Sequence, residues 1–563
     1  MRQVFINKIF LTAAILFPIC MAISSIVNGN EILLYEDLSL IINLFAFSFL
    51  IIILKNLIDI NTFLKFITVV IVISGLLFSL IGILQLFGFN FLNLYYSTRP
   101  GSTLGIRNFA SEYLIGVIPF VFVSLIISKS KKIKSLLIFV IICVLSYLFF
   151  LRSRAAILAF IICLVFFITF LIIINRKNIY KINIKRLVFS LTFVLIISFL
   201  IGLIQPPNVD SERKNLQTTI TSTFDSDYGP NIARIKYTKT SFEIIKENPL
   251  FGIGTGAWFG VYPKYNGEDY TDENIFFTAN INPHNDYLEI LSENGIVTLL
   301  IFLILIIYSF YKLISLSFKN IHFLAVATSF IGLMIVSLLS FPKDNTSAMI
   351  LFFLAIGLAN SAYTTSDTDN KGQLKINFKL LSLMLSFVIL VTIPYSFLRY
   401  EYEKDYITAM NDKASKNYSA MNEKLENITA EIYPVDPNKM HLSYYKGVGY
   451  YQNKEYEKAL YNFQSALSLS PYIPNILSNK AAALYALNET EKAETLLLNI
   501  KRMFPNYIEP QINLLAIYTN TGKDSFAKNL IAELDNRNLQ NEKIKNFTVF
   551  LNIKKHYNEN SLD

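Results

Sequence analysis

Cysteine is nearly absent. Cys20, Cys143 and Cys163 are the only three in 563 residues, and each falls inside a long apolar run. A thiol in that setting behaves as a small apolar side chain, so neither a disulfide framework nor a cysteine-ligated metal site is expected. Charge is scarce as well: 16% of residues are charged against 53% hydrophobic, with a mean hydropathy of +0.44. Soluble domains carry about 25% charged residues, so the composition points to a polytopic membrane protein. A small-residue cleavage pattern is missing after the first apolar run, and more apolar runs follow, so that run is expected to be a retained helix and not a removed signal peptide.

Crossing a bilayer takes about 20 consecutive apolar residues. Eleven runs come close to that length, near 8–27, 38–54, 65–87, 109–127, 133–150, 155–175, 187–204, 296–313, 321–341, 346–362 and 379–398. With the N-terminus inside, the cytoplasmic loops hold Arg2, Lys8, Lys55, Lys65, Lys129, Lys131, Lys132, Lys134, Arg176, Lys177, Lys181, Lys185, Arg186, Lys312, Lys319, Lys371, Lys375 and Lys379. The short external loops hold only Arg99, Arg107, Arg152, Arg154 and Lys343. This is the asymmetry of the positive-inside rule. It accounts for most of the +9 formal charge without a nucleic-acid partner.

Eleven spans place two soluble pieces outside: a loop of roughly 205–295, and everything after about 400. Long loops cross largely regardless of charge, so the loop itself is silent about sidedness. From residue 440 a 34-residue period appears, phased by Ala459, Ala493 and Ala527. Gly447, Tyr450, Tyr456, Phe463, Ala466 and Pro471 complete a tetratricopeptide-like first unit, and Ala481, Leu484 and Pro505 repeat it. Tyr518 and Gly522 continue into a third unit without the closing proline. Small residues suit the crossing of paired helices and the proline ends the second one. The expected organisation is a transmembrane part over 1–398, a helical connector over 399–439 and a repeat domain over 440–563, whose concave surface suits a protein partner or an acceptor.

Arginine on the outer side of a membrane calls for a reason, and four of the five short-loop basic residues are Arg. A guanidinium keeps its charge and grips phosphate oxygens with a planar fork, so a lipid pyrophosphate is one candidate ligand; lipid headgroups and helix C-termini are the other. Arg99 and Arg107 sit in a Gly- and Pro-punctuated loop, and Arg154 opens a helix, where the dipole disfavours it. Arg234 lies on a segment whose Ile235, Phe242 and Ile245 form a rough helical stripe, which also fits a solvated amphipathic helix.

His284 is the one histidine of the membrane half in a polar, loop-like setting, following Pro283 and preceding Asn285, Asp286 and Tyr287. An ordinary imidazole, with a pKa near 6.5, can take a proton from a hydroxyl at neutral pH; helix capping is the alternative. Glu289 and Glu293 share a helix face and either orient the imidazole or face water. GIGTG at 252–256 does not follow a strand in a βαβ unit and is weak as a nucleotide loop. Glu268, Asp269, Asp272 and Glu273 lack the alternation of a calcium loop and are better taken as a solvated acidic loop, so no metal is expected.

Together these pieces resemble the O-antigen ligase family, which includes O-antigen polymerases and bacterial protein O-oligosaccharyltransferases. The resemblance spans about 95–362. It is carried by Arg99, Gly101, Gly105, Asn108, Pro119, Ser153-Arg154-Ala155, Arg234, Asn248-Pro249, Gly252-Ile253-Gly254, His284-Asn285-Asp286-Tyr287-Leu288 and Glu293-Asn294-Gly295. Gly105-Ile106-Arg107-Asn108 departs from the family's G-N-x-N, which leaves the role of Arg107 open.

The resemblance implies an all-α, GT-C-like membrane helix bundle of about 11 spans, with a periplasmic helical loop and a C-terminal α-solenoid, in the bacterial inner membrane. It implies transfer of a glycan from undecaprenyl pyrophosphate to an acceptor hydroxyl, on lipid A core, another glycolipid or protein, with no cofactor, ATP or metal. His284 is then the base and Arg234 its catalytic partner. Arg99, Arg107 and Arg154 bind the pyrophosphate, and Asn285, Tyr287, Glu289 and Glu293 support them. A repeat-unit polymerase is the enzymatic alternative. A polysaccharide transporter or membrane scaffold is the non-enzymatic one, though the internal repeats of transporters are not evident.

Overall fold

The computed structural model describes residues 3–94, 99–180, 182–207, 229–271, 282–361, 373–534 and 541–560. Arg2, Lys181, Asp272, Glu273 and Lys371, named above, lie outside the described residues.

The described chain is mostly helical. Its first seven helices are α1 (Lys8–Asn28), α2 (Glu31–Leu57), α3 (Ile60–Leu86), α4 (Arg107–Ile127), α5 (Lys131–Leu151), α6 (Arg154–Arg176) and α7 (Ile184–Gly202). A polar helix, α8 (Gly229–Glu247), precedes α9 (Asp286–Ser317), α10 (His322–Ser337), α11 (Thr346–Asn360) and α12 (Phe378–Ala414). Among the described residues nine helices, all of these but α8, α10 and α11, are long and apolar enough to cross a bilayer. The expected spans 321–341 and 346–362 correspond to the shorter α10 and α11, of 16 and 15 residues. The cause is local: Pro342 opens a 3-10 turn, and the Asn345 side chain caps α11 by accepting from Ala348 N, so the chain between them cannot stay helical.

One non-helical ladder was not anticipated. Strand β1 (Gln3–Asn7) pairs antiparallel with β2 (Gln373–Asn377), and Val4 and Ile6 are buried at alternate positions.

The chain divides into two compact units. The first comprises 1–21, 38–252 and 283–392. Its core is built where small residues let helices close: a Cβ at Gly116 of α4 would press on Leu351 of α11, and one at Gly332 of α10 would press on Ile115 of α4.

The second unit comprises 22–37, 253–282 and 393–563. Its helices after α12 are α13 (Tyr418–Glu426), α14 (Leu442–Gln452), α15 (Tyr456–Leu469), α16 (Pro474–Ala486), α17 (Thr490–Met503), α18 (Glu509–Asn520), α19 (Asp524–Ala532) and α20 (Glu542–Asn560). Each packs on its sequence neighbour. Ala459, Ala493 and Ala527, which set the sequence period, are fully buried in these contacts.

Residues 257–270 belong to this second unit by packing. Phe259 joins the core of Tyr406, Met421 and Phe463, and the fully buried Tyr270 sits edge-on to Phe504, 5.5 Å between ring centres. Asn506 Nδ2 donates to the Glu268 carbonyl (2.6 Å) and Tyr472 N to the Gly260 carbonyl (3.3 Å). Of the acidic residues read as a solvated loop, Glu268 is exposed and Asp269 half-buried, and the Glu268 backbone is in addition pinned to the tail helices. The phosphate-loop resemblance of GIGTG also has another origin. Gly254 backs onto the Asn30 side chain, whose Nδ2 donates to the Ile253 carbonyl (2.9 Å).

Candidate functional site

Helix α8 is the element on which the site is assembled. Asn231, Arg234, Tyr237, Thr240, Ser241 and Ile244 recur at helical spacing and form its packed face, while Ile232, Ile235 and Phe242 are about half exposed. The apolar stripe read from the sequence is thus turned outward, and the polar residues point into the protein. An outward apolar face on a helix beside a membrane suits the interfacial region, where such faces find lipid.

Two glycines fix where α8 ends. Residues 248–252 form a tight turn in which Gly252 N donates to the Asn248 carbonyl (3.0 Å). That turn lies in a break of α9 at Gly295, and Ile296 N donates to the Pro249 carbonyl (3.0 Å). Gly252 (φ 66°) and Gly295 (φ 77°) both take left-handed backbone, and a Cβ on either would collide with the other strand of the contact, at Glu293 and Leu250 respectively. Only glycine allows both the conformation and the approach. The NPLFG and ENG segments are therefore two halves of one joint that hangs α8 on α9.

His284 lies immediately before α9. Asn285 caps that helix, its side-chain oxygen accepting from Tyr287 N (3.0 Å) and Leu288 N (3.1 Å). The cap leaves His284 with φ 54°, uncommon for a residue with a side chain. Its imidazole is held between two rings: Tyr237 of α8 stacks on it at 5.9 Å, and Phe341 of the α10–α11 loop meets it edge-on at 4.9 Å. Burial, and then the positive charge of Arg234, pull its pKa down to about 4. At neutral pH the ring is uncharged and has a lone pair to offer.

The loop carrying Phe341 is fastened by buried carboxylates. Ser340 Oγ and Asn345 Nδ2 donate to Glu112 of α4 (2.7 and 3.1 Å). Lys343 pairs with Glu289 (2.8 Å), and its backbone N donates to Asp286 Oδ2 (3.2 Å). Glu289 and Glu293 are 4% and 2% exposed, so neither faces water, and Glu289 orients the Phe341 loop through Lys343. Tyr287 Oη donates to the Met334 carbonyl (3.2 Å), tying α9 to α10. Among the supporting residues inferred from the sequence, Asn285, Tyr287 and Glu289 are anchored as a scaffold.

The arginines take separate places. Arg154, first residue of α6, donates from Nη1 to Asn231 Oδ1 (2.8 Å), one turn before Arg234 on α8. Arg99 is 3% exposed and donates from Nη1 to the Phe150 carbonyl at the end of α5 (2.8 Å). Arg107 is the half-buried first residue of α4. Structure thus brings Arg154, Arg234 and His284 together through α8, and sets Arg99 at the turn that leads into Arg154.

Asn231, Tyr237, Phe341, Lys343 and Glu112 were not singled out as site residues from sequence. The signal for Asn231 and Tyr237 was available, since both lie three residues from Arg234 and share its helix face. Nothing local marked Phe341 or Glu112, which arrive from other helices.

Residues 138–303 match the family model described as O-Antigen ligase. The matched stretch runs from within α5 to within α9 and contains Arg154, Asn231, Arg234, Tyr237, His284, Glu289 and Glu293. Arg99 and Arg107 precede it, and Phe341 and Lys343 follow it. Among curated proteins, none matches the chain. The match supports O-antigen ligase-like glycan transfer, and with the nine apolar helices it marks a multi-pass membrane protein.

Proposed function

We propose that the chain transfers a glycan from undecaprenyl pyrophosphate to an acceptor hydroxyl at the outer face of the bacterial inner membrane, without ATP or a metal. The observation that carries this is the position of His284, uncharged and held between Tyr237 and Phe341, beside an Arg234 that shares α8 with the Asn231 to which Arg154 is bound.

His284 accepts the proton of the acceptor hydroxyl as its oxygen attacks the anomeric carbon. The bond from that carbon to the pyrophosphate oxygen breaks, and the electron pair leaves with the lipid pyrophosphate. Arg234 and Arg154, with Arg99 and Arg107, offset the charge gathering on the leaving group. The donor is already activated, so nothing in the step calls for a nucleotide.

Donor binding also solves the weakness of a base with a depressed pKa. Pyrophosphate beside Arg234 cancels part of the positive field on the imidazole, so its basicity rises when the donor is present.

Among the described residues seven long apolar helices precede α8, and the total is odd whether nine or eleven helices cross. With the N-terminus inside, both α8 and the tail then lie outside, in the periplasm. The helices from α14 onward are taken as a tetratricopeptide-type solenoid that recruits the acceptor or a protein partner, with 399–439 as connector. A lipid A core or surface glycolipid acceptor is favoured. Protein, or a growing glycan, are the other outcomes of one test.

That test is expression in a strain lacking its own transferase, followed by detection of glycan on lipid A core, on protein and as lengthened lipid-linked polymer. His284→Ala and Arg234→Ala should abolish product at normal abundance. Full transfer by both variants would overturn the assignment.

A further inference from the structure

Arg152 links α5 to α6 in a left-handed conformation, with φ 54° and ψ 34°. It is 1% exposed, and its Nε and Nη1 are buried without a hydrogen-bond acceptor. No hydrogen bond, ion pair or ring contact of its side chain is found among the described residues. Burial lowers its pKa to about 10, and no carboxylate acts in the other direction, so the group is still a cation at neutral pH.

A structural role does not account for this. A guanidinium has five donors, and burying one without an acceptor or counter-charge is among the most unfavourable things a fold can do. Arg99 shows how a buried arginine is ordinarily satisfied here, by donating to the Phe150 carbonyl. Arg152 follows the same helix end and takes none of the last carbonyls of α5 with its side chain, although a cation there would favour doing so.

The surroundings add charge of the same sign. Arg99 is bonded two residues before Arg152, and Arg154 begins α6 two residues after it. Arg152 and Arg154 flank Ser153 at the turn itself, and Arg99 is tied to the helix end that leads into it; guanidinium groups suit an anion with several acceptor oxygens.

We propose that the α5–α6 turn is a phosphate seat, in which the Nε and Nη1 of Arg152 bind an oxygen pair of the pyrophosphate. The identification of that anion with the donor's pyrophosphate rests on the proposed function; the seat itself does not. Arg152 is then a binding residue in addition to Arg99, Arg107, Arg154 and Arg234.

The experiment uses the purified full-length chain in detergent, titrated with inorganic pyrophosphate and followed by equilibrium binding and thermal unfolding. Wild type should bind saturably and unfold at higher temperature as pyrophosphate is added. Arg152→Gln and Arg152→Met should weaken binding about tenfold or more, as loss of a charge-assisted pair does. Arg152→Lys should fall between, because it keeps the charge and loses the fork.

Without ligand, Arg152→Met should be at least as stable as wild type, since it removes a buried charge that nothing in the empty seat offsets. A structural arginine gives the reverse: a destabilised or unfolded Met variant, or unchanged pyrophosphate affinity in the Gln variant. Either result overturns the proposal, as does absence of saturable binding to wild type.

A second arm in nanodiscs separates sources of phosphate. Added phosphatidylglycerol should leave pyrophosphate affinity unchanged. If it displaces pyrophosphate from wild type and has no effect on Arg152→Gln, the seat serves lipid headgroups and the assignment to pyrophosphate is wrong. Arg152-dependent binding in a chain that transfers no glycan would keep the seat and reject the proposed function.

Discussion

Arg154 Nη1 donates to Asn231 Oδ1 across 2.8 Å, and Asn231 lies one helical turn before Arg234. The Asn231 side-chain amide therefore connects the start of α6 to the helix that presents Arg234 and Tyr237 to His284. Asn231 accepts from a charged donor, so removing it leaves Arg154 without that partner and α8 without that tie.

Asn231→Ala should raise the KM for donor about tenfold or more, in keeping with the loss of a charged hydrogen bond. Initial rates against lipid-linked donor, at fixed acceptor, measure it. An unchanged KM would mean that Arg154 is set by other contacts.

The pH dependence has a definite sign. A base must be deprotonated, and His284 in the free protein loses its proton at about 4, so kcat/KM should stay level below the ordinary histidine value of about 6.5 and fall only toward about 4. In the donor complex Arg234 is partly neutralised, so the acid limb of kcat should lie at higher pH. Stability follows the same linkage. The unfolded imidazole binds a proton below about 6.5, the folded one only near 4, so His284 makes the fold less stable as pH falls between those values. Paired pH profiles of kcat and kcat/KM test the first statement; an acid limb at about 6.5 in kcat/KM would contradict it.

Gly252→Ala and Gly295→Ala should each destabilise the chain by about 1–3 kcal/mol or more, since each adds a Cβ to left-handed backbone and drives it into the opposite half of the joint. Thermal unfolding in detergent checks this. Ala at Gly229, where nothing lies within 4 Å, is the control and should be neutral or nearly so.

How much of this was legible in sequence depends on whether the cause was local. Apolar runs gave nine long helices, but a turn at Pro342 and a cap at Asn345 shortened the two spans on either side. Arg154, Arg234 and His284 were visible as isolated polar residues, and α8 is what joins the first two. The stripe on α8 was visible as a helical pattern, but which way it faces was not, and Ile235 and Phe242 point out. Pairing of β1 with β2 joins residues more than 360 positions apart, and Glu112 reaches Ser340 across 228. Distances of that kind leave no periodic trace.

Tyr237→Phe should keep most activity, because the ring that stacks on His284 remains, and Tyr237→Ala should lose about tenfold or more in kcat as the imidazole gains freedom. Steady-state rates at saturating donor and acceptor give the comparison. Equal loss in both variants would assign the effect to the hydroxyl instead of the stack.

Tyr270→Ala should loosen the 257–270 segment from the tail by about 3–5 kcal/mol, the usual result of deleting a fully buried aromatic ring. Limited proteolysis of the full-length chain reads this out as faster cleavage within that segment. Unaltered cleavage would show that the backbone bonds at Gly260 and Glu268 suffice.

The most direct test of the central claim is a product assay with purified protein, undecaprenyl-pyrophosphate-linked glycan and a hydroxyl acceptor, comparing wild type with His284→Ala. Wild type should form glycosylated acceptor and release undecaprenyl pyrophosphate in equal amounts, and His284→Ala should bind the donor normally while forming neither. Product at the wild-type rate from His284→Ala would contradict the account.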